Sequence, residues 1–255
     1  MSEKFFIKNR KKQKVAVLLD KVDDQKGLAF VMHGLSGFKE QPHIAAFASA
    51  FTEEGFTVVR FDTTNTLGES YGKFEDATVT NYYEDLEDVI EWAKGQDWYK
   101  EPFYLAGHSL GGLCVALYAQ KHPKKVRGLA PISTVVSGKL SLETYSNEEL
   151  DIWKKTGLRQ EISKSTGRLK NLKWSHMEDR LKYDVLPNVN KLTMPVLMIV
   201  GDEDVNTLPK HQKLLFDKLP GKKELRIIKG APHTFKEKPH LEEIKRIFKS
   251  WIESI

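Results

Sequence analysis

The run Gly107-His108-Ser109-Leu110-Gly111 constrains this chain more than any other stretch. An apolar, strand-like segment over 103–106 enters it, and an apolar, helix-like segment over 112–120 leaves it. A serine on so sharp a strand-to-helix turn must adopt strained backbone angles, and small neighbours are needed if strand, helix and substrate are to approach its Oγ. Gly107, Gly111 and Gly112 supply that room. Ser109 is therefore the candidate nucleophile. The same spacing recurs at Gly68-Glu69-Ser70-Tyr71-Gly72, but polar residues 63–66 precede it and no helix opens after it. Ser70 reads as a loop serine.

The wider pattern agrees with a strand-turn-helix unit. Short β-branched runs at 29–32, 57–61, 103–106, 126–132, 196–200 and 225–228 read as strands. Between them, 44–54, 79–94, 110–121, 210–219 and 241–252 carry apolar residues at three- and four-residue steps, the signature of amphipathic helices. Such alternation predicts an α/β fold: a mainly parallel sheet covered on both faces, with ligands beyond the carboxyl ends of the strands. The runs 5–8 and 15–19 predict a hairpin at one sheet edge.

The alternation breaks over 137–190, which is polar, carries Tyr145, Trp153, Trp174 and Tyr183, and offers no strand signal. We read it as an inserted lid on a core formed by 1–136 and 191–255. Tyr145, Trp153 and Trp174 are candidates for lining a substrate pocket, although aromatic residues in such a segment more often form its own core. The stretch 154–173 holds seven basic residues and one acid, Glu161. It reads as a solvated face, with attraction of an anionic substrate or headgroup layer as the sharper alternative.

Composition narrows the classes. Of the 255 residues, 40% are hydrophobic and 29% charged, the profile of a globular domain. No apolar run approaches the roughly 20 residues of a membrane span, and the opening residues carry Glu3 and Lys4 where a signal core would be uninterrupted. A cytoplasmic home without integral membrane association is the expectation. The single cysteine, Cys114, excludes an internal disulfide and reads as a small buried hydrophobe. With no cysteine pair and no His-Glu-x-x-His spacing, neither a metal nor another cofactor is expected. The net charge of +5 is spread along a chain that also holds 35 acids, so nucleic acid is not an expected partner.

A serine hydroxyl needs a base to attack at neutral pH, and a histidine base needs a carboxylate to hold its tautomer. The strand at 196–200 ends in Gly201-Asp202-Glu203-Asp204, and the strand at 225–228 runs into Lys229-Gly230-Ala231-Pro232-His233. These loops supply the acid and the base in the order Ser, Asp, His. Asp204 is the chosen acid and Asp202 the runner-up. His240 is a rival base, better placed in the first turn of the last helix, and His108 is expected to pack beneath the serine turn. A tetrahedral oxyanion also needs donors. Leu110 N–H, directly after the serine, is one. Leu35 N–H, in His33-Gly34-Leu35-Ser36-Gly37 after the 29–32 strand, is the other, with His33 bracing that loop.

These residues resemble the α/β-hydrolase superfamily, and within it the small-lid bacterial carboxylesterases that include cinnamoyl (feruloyl) esterases and monoacylglycerol-lipase-like enzymes. The resemblance rests on His33-Gly34-Leu35, Arg60-Phe61-Asp62, residues 68–74, Gly107 to Gly112, Gly201-Asp202-Glu203-Asp204 and Gly230-Ala231-Pro232-His233. It implies an α/β-hydrolase fold and supports Asp204, since the family acid usually closes a G-x-x-D turn. One departure is visible: relatives often carry a Gly-His-Gly-like turn after the Asp62 strand, where this chain has Asn65-Thr66-Leu67-Gly68. The implied activity is serine hydrolysis of small to medium acyl esters. A thioesterase or aminopeptidase-like amidase would use the same residues, and a noncatalytic binding protein on the fold is a remote alternative.

Overall fold

The computed structural model describes residues 2–162 and 169–255. Its main sheet has eight strands: β1 (Ser2–Lys8), β2 (Lys14–Asp20), β3 (Gly27–Met32), β4 (Phe56–Phe61), β5 (Phe103–His108), β6 (Val126–Ile132), β9 (Val196–Gly201) and β10 (Lys223–Ile228). They lie in the order β1-β2-β4-β3-β5-β6-β9-β10. From β4 to β10 the pairings are parallel, while β1 and β2 add an antiparallel hairpin at the edge.

Period-2 alternation in the strands builds two cores. In β3, Leu28, Phe30 and Met32 join one buried cluster while Ala29 and Val31 join the other. The first cluster lies under α2 (Val79–Ala93) and α3 (Leu110–Lys121). The second lies under α1 (Pro42–Glu53) and α7 (Lys238–Glu253). In α7, Ile244, Ile247, Phe248, Trp251 and Ile252 form one apolar stripe, and Phe248 stacks on Phe47 at 5.2 Å between ring centroids. Because the strands that carry the turn at Ser109 and the loops at 33–37, 201–207 and 229–235 are parallel, all four emerge at one end of the sheet.

Between β6 and β9 the chain makes an excursion through α4 (Asn147–Thr156), β7 (Leu158–Ile162), β8 (Leu169–Lys173) and α5 (Ser175–Arg180). Its neck is narrow. Ser137 and Asp184 form an antiparallel bridge, Gly138 N–H donates to the Tyr183 carbonyl at 2.9 Å, and Val185 N–H donates to that of Val136 at 3.0 Å. A capping box of Ser146 and Glu149 starts α4, and left-handed Gly157 ends it.

One sequence expectation is corrected in the excursion. The absence of strands there does not hold, because β7 and β8 pair as an antiparallel hairpin. Both are five residues long, with polar and charged residues between isolated apolar ones, so no apolar run announces them. Trp153, one of the three aromatic candidates, packs inside the excursion. It is 1% exposed, its indole N–H donates to the Leu172 carbonyl at 2.9 Å, and Trp174 and Tyr145, both half-buried, pack on it. These aromatics are the excursion's own core. Of its basic residues, Lys170 pairs with Glu161 at 2.7 Å and Lys173 with Asp76 at 2.5 Å, while Lys164 and Arg168 lie outside the described residues.

Candidate active site

Ser109 follows β5 and caps α3 with φ 55° and ψ −115°, a conformation costing about 1–3 kcal/mol that persists only where surroundings impose it. Two backbone hydrogen bonds do so: Ser109 N–H donates to the Ile132 carbonyl at 2.9 Å, and Val135 N–H donates to the Ser109 carbonyl at 3.1 Å. The turn is so tight that a Cβ on Gly107 would stand 2.4 Å from the Gly111 carbonyl oxygen. Only glycine fits.

Ser109 Oγ lies 3.0 Å from His233 Nε2, and His233 Nδ1 lies 2.8 Å from Asp204 Oδ2. Three residues distant in sequence thus form one hydrogen-bonded chain. Asp204, 2% exposed, is held by four donors. Its Oδ1 accepts Asn206 N–H and Thr207 N–H, both at 2.9 Å, and its Oδ2 accepts the Thr207 hydroxyl at 2.7 Å besides His233. Burial alone would push its pKa up, but His233 and Thr207 reverse that and hold it below the usual carboxylate value. Asp202 is spent elsewhere, accepting Gly230 N–H at 2.6 Å. Thr207 escaped the sequence reading because a threonine three residues past the acid carries no motif of its own.

Three further histidines named from the sequence lie around this chain or away from it. His108 Nε2–H donates to the His233 carbonyl at 2.7 Å. Thr63 N–H donates to His33 Nε2 at 3.1 Å, so the His33 proton sits on Nδ1 and is donated to the Gly34 carbonyl at 2.7 Å. His240 is buried in the first turn of α7. Ser70, the other spacing match, donates its hydroxyl to the Asp62 carbonyl at 2.6 Å and accepts Ala16 N–H at 2.9 Å.

The loop after β3 is pressed against Ser109. A Cβ on Gly34 would lie 2.9 Å from Ser109 Cβ and 3.1 Å from the His108 carbonyl. Leu35 N–H donates to no described group, and Leu110, first in α3, carries an N–H that a helix leaves without an internal partner. Behind the loop, fully buried Lys39 pairs with Asp62 at 2.9 Å and Glu69 at 2.6 Å. Burial would lower its pKa, yet these carboxylates raise it, so it stays a charged clamp. The departing Asn65-Thr66-Leu67-Gly68 turn joins the brace, with Thr66 Oγ donating to the Gly37 carbonyl at 2.5 Å. Gly34→Ala is expected to shift Leu35 N–H and lower kcat by about 10²-fold or more, the scale of one lost oxyanion donor, with KM changed little. Steady-state kinetics on a soluble ester measure it.

Burial lowers the pKa of His33, of His108, of His43 to about 3 and of His176 to about 4. The unfolded chain binds protons at these sites below pH 6.5 and the folded chain does not, so acid favours unfolding. Between pH 7 and pH 5, His43 and His176 each remove about 2 kcal/mol of stability. Urea denaturation at the two pH values tests this, and equal midpoints would refute it.

The fold and the placement of Ser109, Asp204 and His233 at three strand ends define an α/β-hydrolase. The chain belongs to the family described as Serine aminopeptidase, S33, whose pattern matches residues 23–169; the pattern of PhoPQ-activated pathogenicity-related protein matches 103–255. The protein is accordingly a hydrolase. Est1E from Butyrivibrio proteoclasticus, solved with ferulic acid bound, superposes with a TM-score of 0.82 at 25% identity, covering 98% of each chain. Mouse alpha/beta hydrolase domain-containing protein 10 gives a TM-score of 0.82 at 19% identity over 99% of each chain. An uncharacterized 31.7 kDa protein of the traX-finO intergenic region of Escherichia coli is 25% identical over 231 residues, 78% of this chain and 80% of that protein. No described helix is long and apolar enough to cross a membrane, and no described cluster of three or more His, Cys, Asp or Glu could hold a metal ion.

Proposed function

We propose that the protein hydrolyses carboxylic esters of small to medium acyl chain through an acyl-enzyme on Ser109. The observation that carries this reading is the continuous path from Ser109 Oγ through His233 to Asp204, at 3.0 and 2.8 Å. His233 Nε2 takes the hydroxyl proton as Oγ attacks the ester carbonyl, and Asp204 keeps the His233 proton on Nδ1 and stabilises the imidazolium. Leu35 and Leu110 N–H receive the oxyanion. The alcohol leaves with the proton from His233, and water, deprotonated by the same nitrogen, releases the acid. The excursion, reaching the oxyanion loop through Lys170 Nζ at 3.3 Å from Ser36 Oγ, serves as the lid.

A panel of p-nitrophenyl esters of increasing chain length tests the reading. Hydrolysis with an optimum at short or medium chains is expected. The family description favours one rival, an aminopeptidase-like amidase. Aminoacyl p-nitroanilides cleaved faster than every ester would replace our reading with that one, and preference for acyl thioesters would make the protein a thioesterase.

A further inference from the structure

The main sheet ends at β10, and the outer edge of that strand is unpaired. Val196 N–H in β9 donates to the Lys222 carbonyl at 2.9 Å, and Asp202 N–H donates to that of Ile228 at 3.2 Å. Main-chain groups turn to alternate sides along a strand. Those of Glu224 and Arg226 therefore face β9, and those of Lys223, Leu225 and Ile227 face outward. No described backbone group bonds these three from outside the sheet. An open edge of this kind is a template for another strand.

The side chains leave the edge open as well. Ile227 is 57% exposed. Leu225, on the same face, is half-buried against the first core cluster, which Leu215 of α6 (Pro209–Lys218) also joins. Lysines commonly guard such edges, but Lys223 is spent on the end of α6, its Nζ donating to the carbonyls of Phe216 at 2.8 Å, Asp217 at 3.2 Å and Leu219 at 2.9 Å. At the opposite edge of the sheet, by contrast, the exposed Phe6 of β1 lies under Lys14 Nζ, 4.9 Å from its ring centre. On the other face of β10, Glu224 and Arg226 form an ion pair two residues apart.

We propose that β10 pairs antiparallel with β10 of a second copy of this chain, centred on Leu225, in a two-fold dimer. Charge and hydrogen bonding select the same register. Centring on Leu225 lets the outward groups of Leu225 bond those of Leu225 in the second copy, and those of Lys223 bond those of Ile227. It also sets Glu224 directly opposite Arg226 of the second copy, twice by symmetry. Centring on Glu224 or Arg226 would set like charges face to face, and centring between two residues would set outward groups against inward ones. Centres nearer either end of the strand shorten the pairing. In the chosen register Ile227 is covered by the methylene stem of Lys223 and, diagonally, by Leu225 of the second copy. The two Ser109 turns open at opposite ends of the joined sheet.

Sedimentation equilibrium over a concentration series tests the pairing on wild type, Glu224→Arg, Arg226→Glu and the double variant Glu224→Arg/Arg226→Glu. The wild type is expected to approach twice the monomer mass. Each single variant sets like charges opposite one another at both symmetry-related positions, and its dimer Kd is expected to rise about tenfold or more. The double variant restores opposite charges, and its Kd is expected to return toward the wild-type value. A wild type that stays monomeric throughout the series overturns the proposal. So does a dimer that neither single variant weakens, since its contact lies on another face, or a double variant that is folded by circular dichroism and does not recover. Cross-linking checks the register. Opposed residues have Cα atoms about 5.5 Å apart, so a short bismaleimide is expected to join Leu225→Cys chains and to leave Ile227→Cys chains, about 14 Å out of step, unjoined. Cys114 is buried and out of its reach. Joining through Ile227→Cys and not through Leu225→Cys overturns the proposed pairing.

Discussion

Ser109→Ala is expected to lower kcat/KM on p-nitrophenyl butyrate by about 10⁴-fold or more, with the melting temperature nearly unchanged. The hydroxyl is the only group the substitution removes, and no acyl-enzyme can form without it. What survives is the smaller acceleration that oxyanion donors and binding give by themselves. The backbone of residue 109 stays at φ 55° in either variant, imposed by the bonds to Ile132 and Val135, so the strain is shared and stability is not the readout. Stopped-flow measurement of p-nitrophenol release should show a burst in the wild type where deacylation limits the rate, and none in the variant. Equal turnover by the two proteins would remove Ser109 from the mechanism.

Asp204→Asn should cost about 10⁴-fold in kcat for a reason specific to this loop. The backbone N–H groups of Asn206 and Thr207 both point at Oδ1, so an asparagine must place its oxygen there. Its NH₂ then occupies the Oδ2 position and donates to His233 Nδ1. That forces the His233 proton onto Nε2, the nitrogen that must accept the proton of Ser109. Asp202→Asn keeps an oxygen for Gly230 N–H and is expected to stay within about tenfold of wild type, the scale of one weakened hydrogen bond. Should Asp202→Asn be the crippling change, Asp204 is not the acid.

Most of the frame was legible because it rests on local signals. The helix predicted over 79–94 is Val79–Ala93, and the strand predicted over 196–200 runs one residue longer, to Gly201. The juxtaposition of Ser109, Asp204 and His233 could be read because parallel strands deliver their following loops to one end of the sheet. What stayed hidden depends on contacts with no periodic trace. The β7–β8 hairpin is too short and too polar to alternate visibly, and Thr207 matters only because its loop folds back on Asp204. Trp153 was the opposite case: a large aromatic in a polar stretch invites a binding role, yet a small subdomain needs such a ring for its own core.

The neck at Ser137 and Asp184 has a consequence for descent and engineering. Because the excursion leaves and returns through one antiparallel bridge, whose paired Cα atoms stand about 5 Å apart, any segment with similarly spaced ends can be seated there without moving β6 or β9. On the function proposed above, the Ser109–His233–Asp204 chain and the excursion can then change independently: one by single substitutions that are nearly all damaging, the other by wholesale exchange. A socket of this kind lets the set of accepted molecules drift quickly while the reaction itself stays fixed.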